Sequence, residues 1–327
     1  MSTPQDGETF TFTISEEDKE KFKRLDQYLA AKLIDQSRSF IKMLFEKNHI
    51  SSDNSVKKIE LKKFPEVGTI INVLIPPPAP ADAQPEELPL DILFEDEHLI
   101  IVNKAAGMVV HPAPGNYTGT LVNAILFHCK DLKGVGDQRR PGIVHRLDKG
   151  TSGVMVVAKN QKCHEGLVEL FSTHDIERKY ECIAMGKSFP AGGVLESKIG
   201  RHPQNRLKMS TEAKSGKHAL TNYRVLAQFD KVAHVELKLE TGRTHQIRVH
   251  LSQLLYRPIL CDSMYGNPKE HLQRVGPDLS EIIGDYEYPF LHAKELGFVH
   301  PITKEELNFQ TPPPKIFQEV LSYLKGE

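Results

Sequence analysis

Residues Pro141–Lys159 read PGIVHRLDKGTSGVMVVAK, and the rest of the chain is best read outward from them. Apolar residues lead into His145-Arg146-Leu147-Asp148. A small-residue turn follows, Gly150-Thr151-Ser152-Gly153, and then an apolar run. The pattern predicts a strand over Ile143–Leu147, a turn, and a second strand over Val154–Ala158. In an extended chain residues two apart share a face, so Arg146 and Asp148 would point the same way with Leu147 packed behind. A carboxylate at the mouth of a strand beside a glycine-rich turn is placed to meet a ligand. Spacing alone leaves a surface ion pair beside a hairpin turn as the competing reading.

Upstream, Leu99–Val102 reads as a strand and Gly119–Cys129 as a helix. Downstream, a helix is expected over Lys162–Phe171, strands over Tyr180–Ala184 and Val235–Leu239, and a helix over His245–Leu255. These elements do not alternate as regular βαβ units. The expected class is therefore α+β, with a mixed, mainly antiparallel central sheet. The prolines from Pro76 to Pro89 read as an extended linker over 77–89. It separates a small unit, 18–76, from a large one, 90–327. In the small unit Leu25, Leu29 and Leu33 recur at helical spacing. Ser37 is a plausible N-cap for a second helix with Ile41, Leu44 and Phe45 on its apolar stripe. That helix sets Arg38 and Lys42 four apart on one exposed face, and Ile70, Val73 and Ile75 suggest a closing strand.

Of the 327 residues, 42 are Lys or Arg and 43 Asp or Glu, so the distribution of charge is more informative than its sum. From Lys19 to Lys63 there are twelve Lys or Arg against six Asp or Glu, which marks the small unit as basic. Arg139, Arg140, Arg146 and Lys149 form a second cluster. The four cysteines make no CxxC pair, which argues against a zinc ribbon and a secreted disulfide framework. The first ten residues lack a basic and an apolar region of the signal-peptide kind, and no apolar run is long enough to span a membrane. A cytoplasmic location is the expectation. There is no P-loop, dinucleotide fingerprint, HExxH or GxSxG, and the fifteen histidines form no recognisable metal-ligand set. Cys163-His164 reads as packing.

Two further segments carry candidate chemistry. In Glu240–Leu255, ETGRTHQIRVHLSQL, Thr241-Gly242 makes a turn and Thr244 is expected to cap a helix that buries Ile247, Leu251 and Leu254. Arg243 and Arg248 are candidate contacts for phosphate or carboxylate, since an arginine fork can hold either by two hydrogen bonds. Helix-end solvation is the competing reading. In Ile176–Gly186, IERKYECIAMG, Tyr180 opens a strand after Arg178-Lys179. Its ring could stack on a nucleobase or simply edge the core.

Together these segments resemble the large-subunit-type pseudouridine synthases. HRLDxxTSG is that family's signature, complete here at 145–153. The Tyr180 strand, GRTHQIRVH, and Leu291-His292-Ala293 with His300-Pro301 match its other motifs, so the resemblance covers nearly all of 90–315. One departure is Asn103-Lys104-Ala105-Ala106-Gly107, where the family usually has proline after the lysine. The small unit resembles an RNA-binding fold shared with a small-subunit ribosomal protein, although its usual Val-x-Val-Asn-Gly turn is replaced by Ile50-Ser51-Ser52-Asp53-Asn54.

The resemblance implies isomerisation of uridine to pseudouridine in large-subunit ribosomal RNA, including RNA within a pre-ribosomal particle, by a monomer that needs no cofactor or metal. It implies Asp148 as nucleophile, Tyr180 as the ring stacked on the target base, and Arg243 as the partner of Asp148. It further implies that Arg146 fills the gap left by the flipped base and that Ile247 forms an apolar wall. Arg38 and Lys42 would contact RNA phosphates. Transfer RNA is the alternative substrate. A non-catalytic RNA-binding assembly factor is the rival from another class. A nucleoside or glycoside hydrolase would need a second carboxylate near Asp148, for which Glu240 is the one candidate, in a context that does not support it.

Overall fold

The computed structural model describes residues 8–33, 37–53, 59–75, 83–113, 115–130, 132, 134–137 and 140–327. It divides into two compact units, Met1–Ala79 and Pro80–Glu327. Residues 76–82 of the expected linker, and Arg139 of the basic cluster, lie outside the described residues.

In the small unit, β1 (Glu8–Thr13) is followed by α1 (Glu16–Lys21), α2 (Leu25–Lys32), α3 (Arg38–Glu46), β2 (Ile50–Asp53) and β3 (Ile70–Ile75). The strands form an antiparallel sheet in the order β1-β3-β2. Leu25, Leu29, Ile41, Leu44, Ile71 and Val73 are fully buried, so the helical stripes seen in the sequence close over this sheet. Ser37 caps α3 by accepting from Phe40 N–H at 3.2 Å. The unit begins earlier than residue 18. The alternating apolar residues Phe10 and Phe12 of β1 pack against its core.

In the large unit the strands are β4 (Ile92–Glu95), β5 (Leu99–Lys104), β6 (Ser152–Ala158), β7 (Glu177–Met185), β8 (Gly192–Arg201), β9 (Met209–Ser210), β10 (Lys217–Gln228), β11 (Val232–Leu239), β12 (Leu291–Val299) and β13 (Glu306–Gln310). The helices are α4 (Leu121–His128), α5 (Gln161–Thr173), α6 (Gln246–Val249) running into a π-helical turn (His250–Leu254), α7 (Pro268–Val275), α8 (Pro277–Ile283) and α9 (Lys315–Lys325). Among the described residues the strands form one ten-stranded sheet, ordered β4-β5-β6-β12-β7-β11-β10-β8-β9, with β13 on β12. Every pairing is antiparallel except β6 with β12. The class is α+β with a mixed, mainly antiparallel sheet.

Residues 83–89, expected as linker, instead belong to this unit. Ala83 is buried in its core, and Asn123 donates from Nδ2 to the Gln84 carbonyl at 2.6 Å. The expected strand at Ile143–Leu147 is a loop, joined to β6 by a single bridge, Ile143 to Val157. Side chains complete the edge: Val156 N–H donates to His145 Nε2 at 3.1 Å, and the His145 ring stacks on Phe171 at 4.5 Å. Burial, aided by Arg178, holds the His145 pKa down to about 3, so the ring is the neutral acceptor that this bond requires.

The parallel contact explains the TSG and LHA motifs together. His292 and Ala293 pair with Ser152 and Gly153. His292 Nε2–H donates to the Thr311 carbonyl at 2.9 Å, so its Nδ1 accepts from Ser152 Oγ–H at 2.9 Å. Gly153 has φ of 118°, and a Cβ there would lie 2.1 Å from the Ala293 carbonyl oxygen. Gly153→Ala is expected to cost at least about 3 kcal/mol of stability, measured by denaturant unfolding; an unchanged midpoint would contradict this packing.

Candidate active site

The loop carrying Asp148 is tied at both ends. Thr151 N–H donates to the Asp148 carbonyl at 3.0 Å, and Gly107 N–H to the Lys149 carbonyl at 2.8 Å. Lys104, the lysine of the proline-lacking turn, is buried and donates from Nζ to the carbonyls of Ala105 (2.8 Å) and Met108 (2.9 Å), with Lys149 at 3.4 Å. Three carbonyl bonds fix the turn without the ring constraint of proline. Burial pulls the Lys104 pKa down to about 7, against the attraction of Asp148. A buried lysine of this kind makes the fold bind fewer protons than the unfolded chain between about pH 7 and pH 10. Stability should therefore rise over that range by up to about 1.4 kcal/mol per pH unit, and lie at its lowest below it. Lys104→Met is expected to flatten that rise in a series of thermal melts and to lower the melting temperature near pH 9, because the three carbonyls lose their donor.

Asp148 lies in a cavity of about 350 Å³, a volume at the small end of the range for ligand sites. Arg140, Arg146, Arg178, Arg243 and Arg248 line it, and Asp148 is the only acidic residue among the described lining residues. The wall is apolar at Leu147, Tyr180, Leu239, Ile247 and Leu291.

Asp148 Oδ2 accepts from Arg248 Nη1 at 3.0 Å. Arg248 is held in turn by Asp262, Nε to Oδ2 at 2.7 Å and Nη2 to Oδ1 at 2.8 Å. The Asp262 side chain is fully buried. Burial alone would lower the Arg248 pKa, but Asp262 and then Asp148 hold it above its ordinary value. Burial likewise disfavours the Asp262 carboxylate, yet Arg248 and the backbone N–H groups of Tyr265 and Met264 hold its pKa below the usual range. The result is a rigid chain of charge, Asp262–Arg248–Asp148, with Asp262 buried behind and Arg248 and Asp148 lining the cavity.

Arg243, expected to pair with Asp148, does not. Its Nε donates to the His218 carbonyl at 2.8 Å. Thr244 is not the helix cap either. His245 takes that position with φ of 57°, and the Gln246 side chain locks the turn by accepting from Thr241 Oγ1 and Arg243 N–H. That turn points Arg243 away while the first turn of α6 carries Arg248 toward Asp148.

His245 is a site residue that its expected place inside a helix concealed. Tyr265 Oη accepts from Met209 N–H at 2.8 Å, so its hydroxyl proton goes to His245 Nδ1 at 2.7 Å. The remaining proton of the neutral ring is then on Nε2, 3.8 Å from Asp148 Oδ1. Burial lowers the His245 pKa and favours that neutral form, against the pull of Asp148. The other histidine of the motif, His250, is structural, bonded to Thr221 and Ser197.

Tyr180 and Ile247 are both buried in the cavity wall. Burial pushes the Tyr180 hydroxyl up to about 12, with Arg178 opposing and Asp148 adding to the rise. Arg146 is exposed at the rim, its Nη1 3.5 Å from His111 Nε2. Arg178 is buried behind Tyr180 and donates to the carbonyls of Leu239 and Glu240. Glu240 does not line the cavity; its carboxylate accepts from Asn222. In the small unit, Arg38 and Lys42 are on the exposed side of α3. Arg38 shares Asp26 with Arg24, and Lys42 lies 3.5 Å from Glu46.

One group of metal-ligand type occurs among the described residues. Donor atoms of Glu95, His128 and Cys129 lie within 4.8 Å of one another, but Lys159 Nζ is 2.6 Å from Glu95, which makes this an ion-pair network. No helix is long and apolar enough to cross a membrane among the described residues.

Residues 98–253 match the model of the RNA pseudouridylate synthase family. The chain is 41% identical over 304 residues to ribosomal large subunit pseudouridine synthase D of Zymomonas mobilis, covering 92% of this chain and 93% of that protein. The chain belongs to the RNA pseudouridine synthase family. It is also 39% identical to an uncharacterized RNA pseudouridine synthase of Bacillus subtilis, over 96% of this chain and 97% of the relative. The structure of human RNA pseudouridylate synthase domain containing 4 aligns with a TM-score of 0.55 at 30% identity, over 72% of this chain and 93% of that one. As a pseudouridine synthase, the protein breaks the bond between ribose and uracil N1 and rejoins the base through C5. A site with one carboxylate among its described lining residues, and an arginine-rich wall, is consistent with a reaction at a sugar carbon inside a polyanion.

Proposed function

We propose that the protein modifies uridines of large-subunit ribosomal RNA, with Asp148 as the nucleophile on a flipped-out uridine. The observation that carries this reading is the Asp148 carboxylate, alone in an arginine-lined cavity and aimed by Arg248. The target base leaves its stack at a cost of a few kcal/mol, and Arg146 at the rim enters the gap. Asp148 bonds to ribose C1′ as the C1′–N1 bond breaks. The uracil anion stays on Tyr180 and Ile247 and turns. C5 then attacks C1′ and displaces Asp148. The freed carboxylate accepts the C5 proton, N1 of the turned base takes up a proton in exchange, and Asp148 returns to its ionised form with no net change of charge. Tyr180, with its hydroxyl held near 12, remains a neutral phenol suited to stacking and to donating a hydrogen bond.

Relatives named for the large ribosomal subunit support the choice of RNA, as do the two cations on α3 of the small unit, Arg38 and Lys42. Such contacts are strong, salt-sensitive and blind to sequence, which suits a unit that docks on structured RNA. The test is pseudouridine mapping on large-subunit ribosomal RNA and on transfer RNA after treatment with the pure protein. New pseudouridines in the ribosomal RNA are expected. Modification of transfer RNA alone would overturn the substrate, and modification of neither would overturn the reading.

A further inference from the structure

A second concavity, of about 700 Å³, is lined by the end of β7, the β10–β11 turn, the residues after the π-helical turn, and α7. Five cations line it: Lys187, Lys208, Lys231, Arg257 and Arg274. Glu270 is the single acid in the lining and is ion-paired with Arg274. Asp230, beside the groove in sequence, lies 3.8 Å from Lys231. The groove thus keeps a surplus of positive charge that the active-site cavity does not use.

At its edge stands Tyr256. Its side chain is 77% exposed, the most exposed large apolar or aromatic residue among those described. Its φ of 56° is a left-handed conformation uncommon for an aromatic residue. The turn that presents it is pinned. Arg257 N–H donates to the Leu251 carbonyl at 2.8 Å, and Met185 N–H to the Pro258 carbonyl at 2.8 Å. Arg257 Nη2 adds a bond to the Ser188 carbonyl at 3.2 Å. An aromatic ring held into solvent on an anchored, left-handed turn, at a groove lined by cations, has no side-chain partner among the described residues.

The groove adjoins the active site through one residue. Tyr265 lines the groove, and the same side chain bonds His245 and lies 5.2 Å from the Arg248 guanidinium. Tyr265 therefore touches both the groove and the residues that surround Asp148.

We propose that this groove binds the RNA segment flanking the target uridine, its cations on phosphates and Tyr256 stacked on an unpaired base. The inference rests on the reading of the protein as an enzyme of structured RNA. Cations in a track beside an open aromatic face are how sequence-tolerant single-strand sites are built, since every base offers a π-face.

The test compares a long ribosomal RNA fragment with a minimal stem-loop carrying the same uridine. Tyr256→Gly removes the ring and suits the left-handed backbone, so weakened binding cannot come from added strain. Lys187→Glu with Lys231→Glu reverses two charges on the surface. Tyr256→Gly is expected to raise the Kd for the long fragment about tenfold, with Tyr256→Phe near wild type. The charge reversal should also lower the slope of log Kd against log salt by about 2. Turnover at saturating RNA, and both parameters on the stem-loop, should stay unchanged. Wild-type affinity of the variants for the long fragment would overturn the proposal, as would equal losses on both RNAs. A loss seen only on ribosomal particles would also overturn it and give the groove to a protein. Because binding is read apart from turnover, a wild-type protein that binds without modifying would count against the proposed reaction and leave the groove decided by its own comparison.

Discussion

Replacing Asp148 by asparagine is expected to lower single-turnover pseudouridine formation by about a thousandfold or more while RNA affinity stays within about threefold. The amide keeps the size and loses the charge. It cannot bond to a ribose carbon or accept the C5 proton. The fold should tolerate the change, because Arg248 retains its two bonds to Asp262. Rapid-quench assays with filter binding on one RNA would separate the two effects. A variant with the wild-type rate would remove Asp148 from the reaction, and one that fails to bind would show that its role is structural.

The second large effect is expected at Arg248. Arg248→Met leaves Asp262, fully buried, without its counter-charge, a change that typically costs about 3–5 kcal/mol. It also frees Asp148 to leave its position. Turnover should fall with stability. The pH dependence provides an independent sign. In the wild type the Asp262 pKa is depressed, so its contribution is present above the ordinary carboxylate range and is lost as pH falls through that range and below it. Without Arg248, burial would raise that pKa, and the variant should instead gain stability on acidification. Arg243→Met is expected to cost less than about 1 kcal/mol, since Arg243 gives up only its bond to the His218 carbonyl. Equal losses in the two variants, by thermal melts from pH 4 to pH 8, would refute this division of roles.

The two arginines illustrate what the sequence could reveal. Residues 240–255 announced an arginine for Asp148, but choosing between Arg243 and Arg248 depends on where the helix begins. That is decided by the left-handed His245 and by Gln246, which is held across a long sequence separation by donating from Nε2 to the Leu220 carbonyl and to Thr221 Oγ1. Asp262 was invisible for the same reason: it reaches Arg248 from a loop that shows no periodicity. Strands with continuous apolar runs, β5 and β6, were legible because burial on both faces imposes that composition. Strands β8 and β10, with many exposed polar positions, were not among the strands expected from the sequence. The segment 143–147 is as apolar as a strand yet forms none, because the neighbouring position on β6 is already filled through His145. Tyr180, Arg146 and Ile247 line the cavity as their motifs suggested, while His245 needed the tyrosine at 265 to become visible.

The parallel contact between β6 and β12 also affects the order of folding. The loop that carries Asp148 leads into Ser152, and Ser152 is held by His292, 140 positions later in the chain. Contacts of that separation form late, after the loop-closure entropy has been met by others. A chain emerging from the ribosome can assemble β4, β5 and β6 well before β12 exists. Until then the central strand has one open edge and the turn after Asp148 lacks its anchor. The protein should therefore gain the ability to modify RNA only after β12 has been made. Nascent chains stalled before residue 290 would be inert however well their earlier strands had paired.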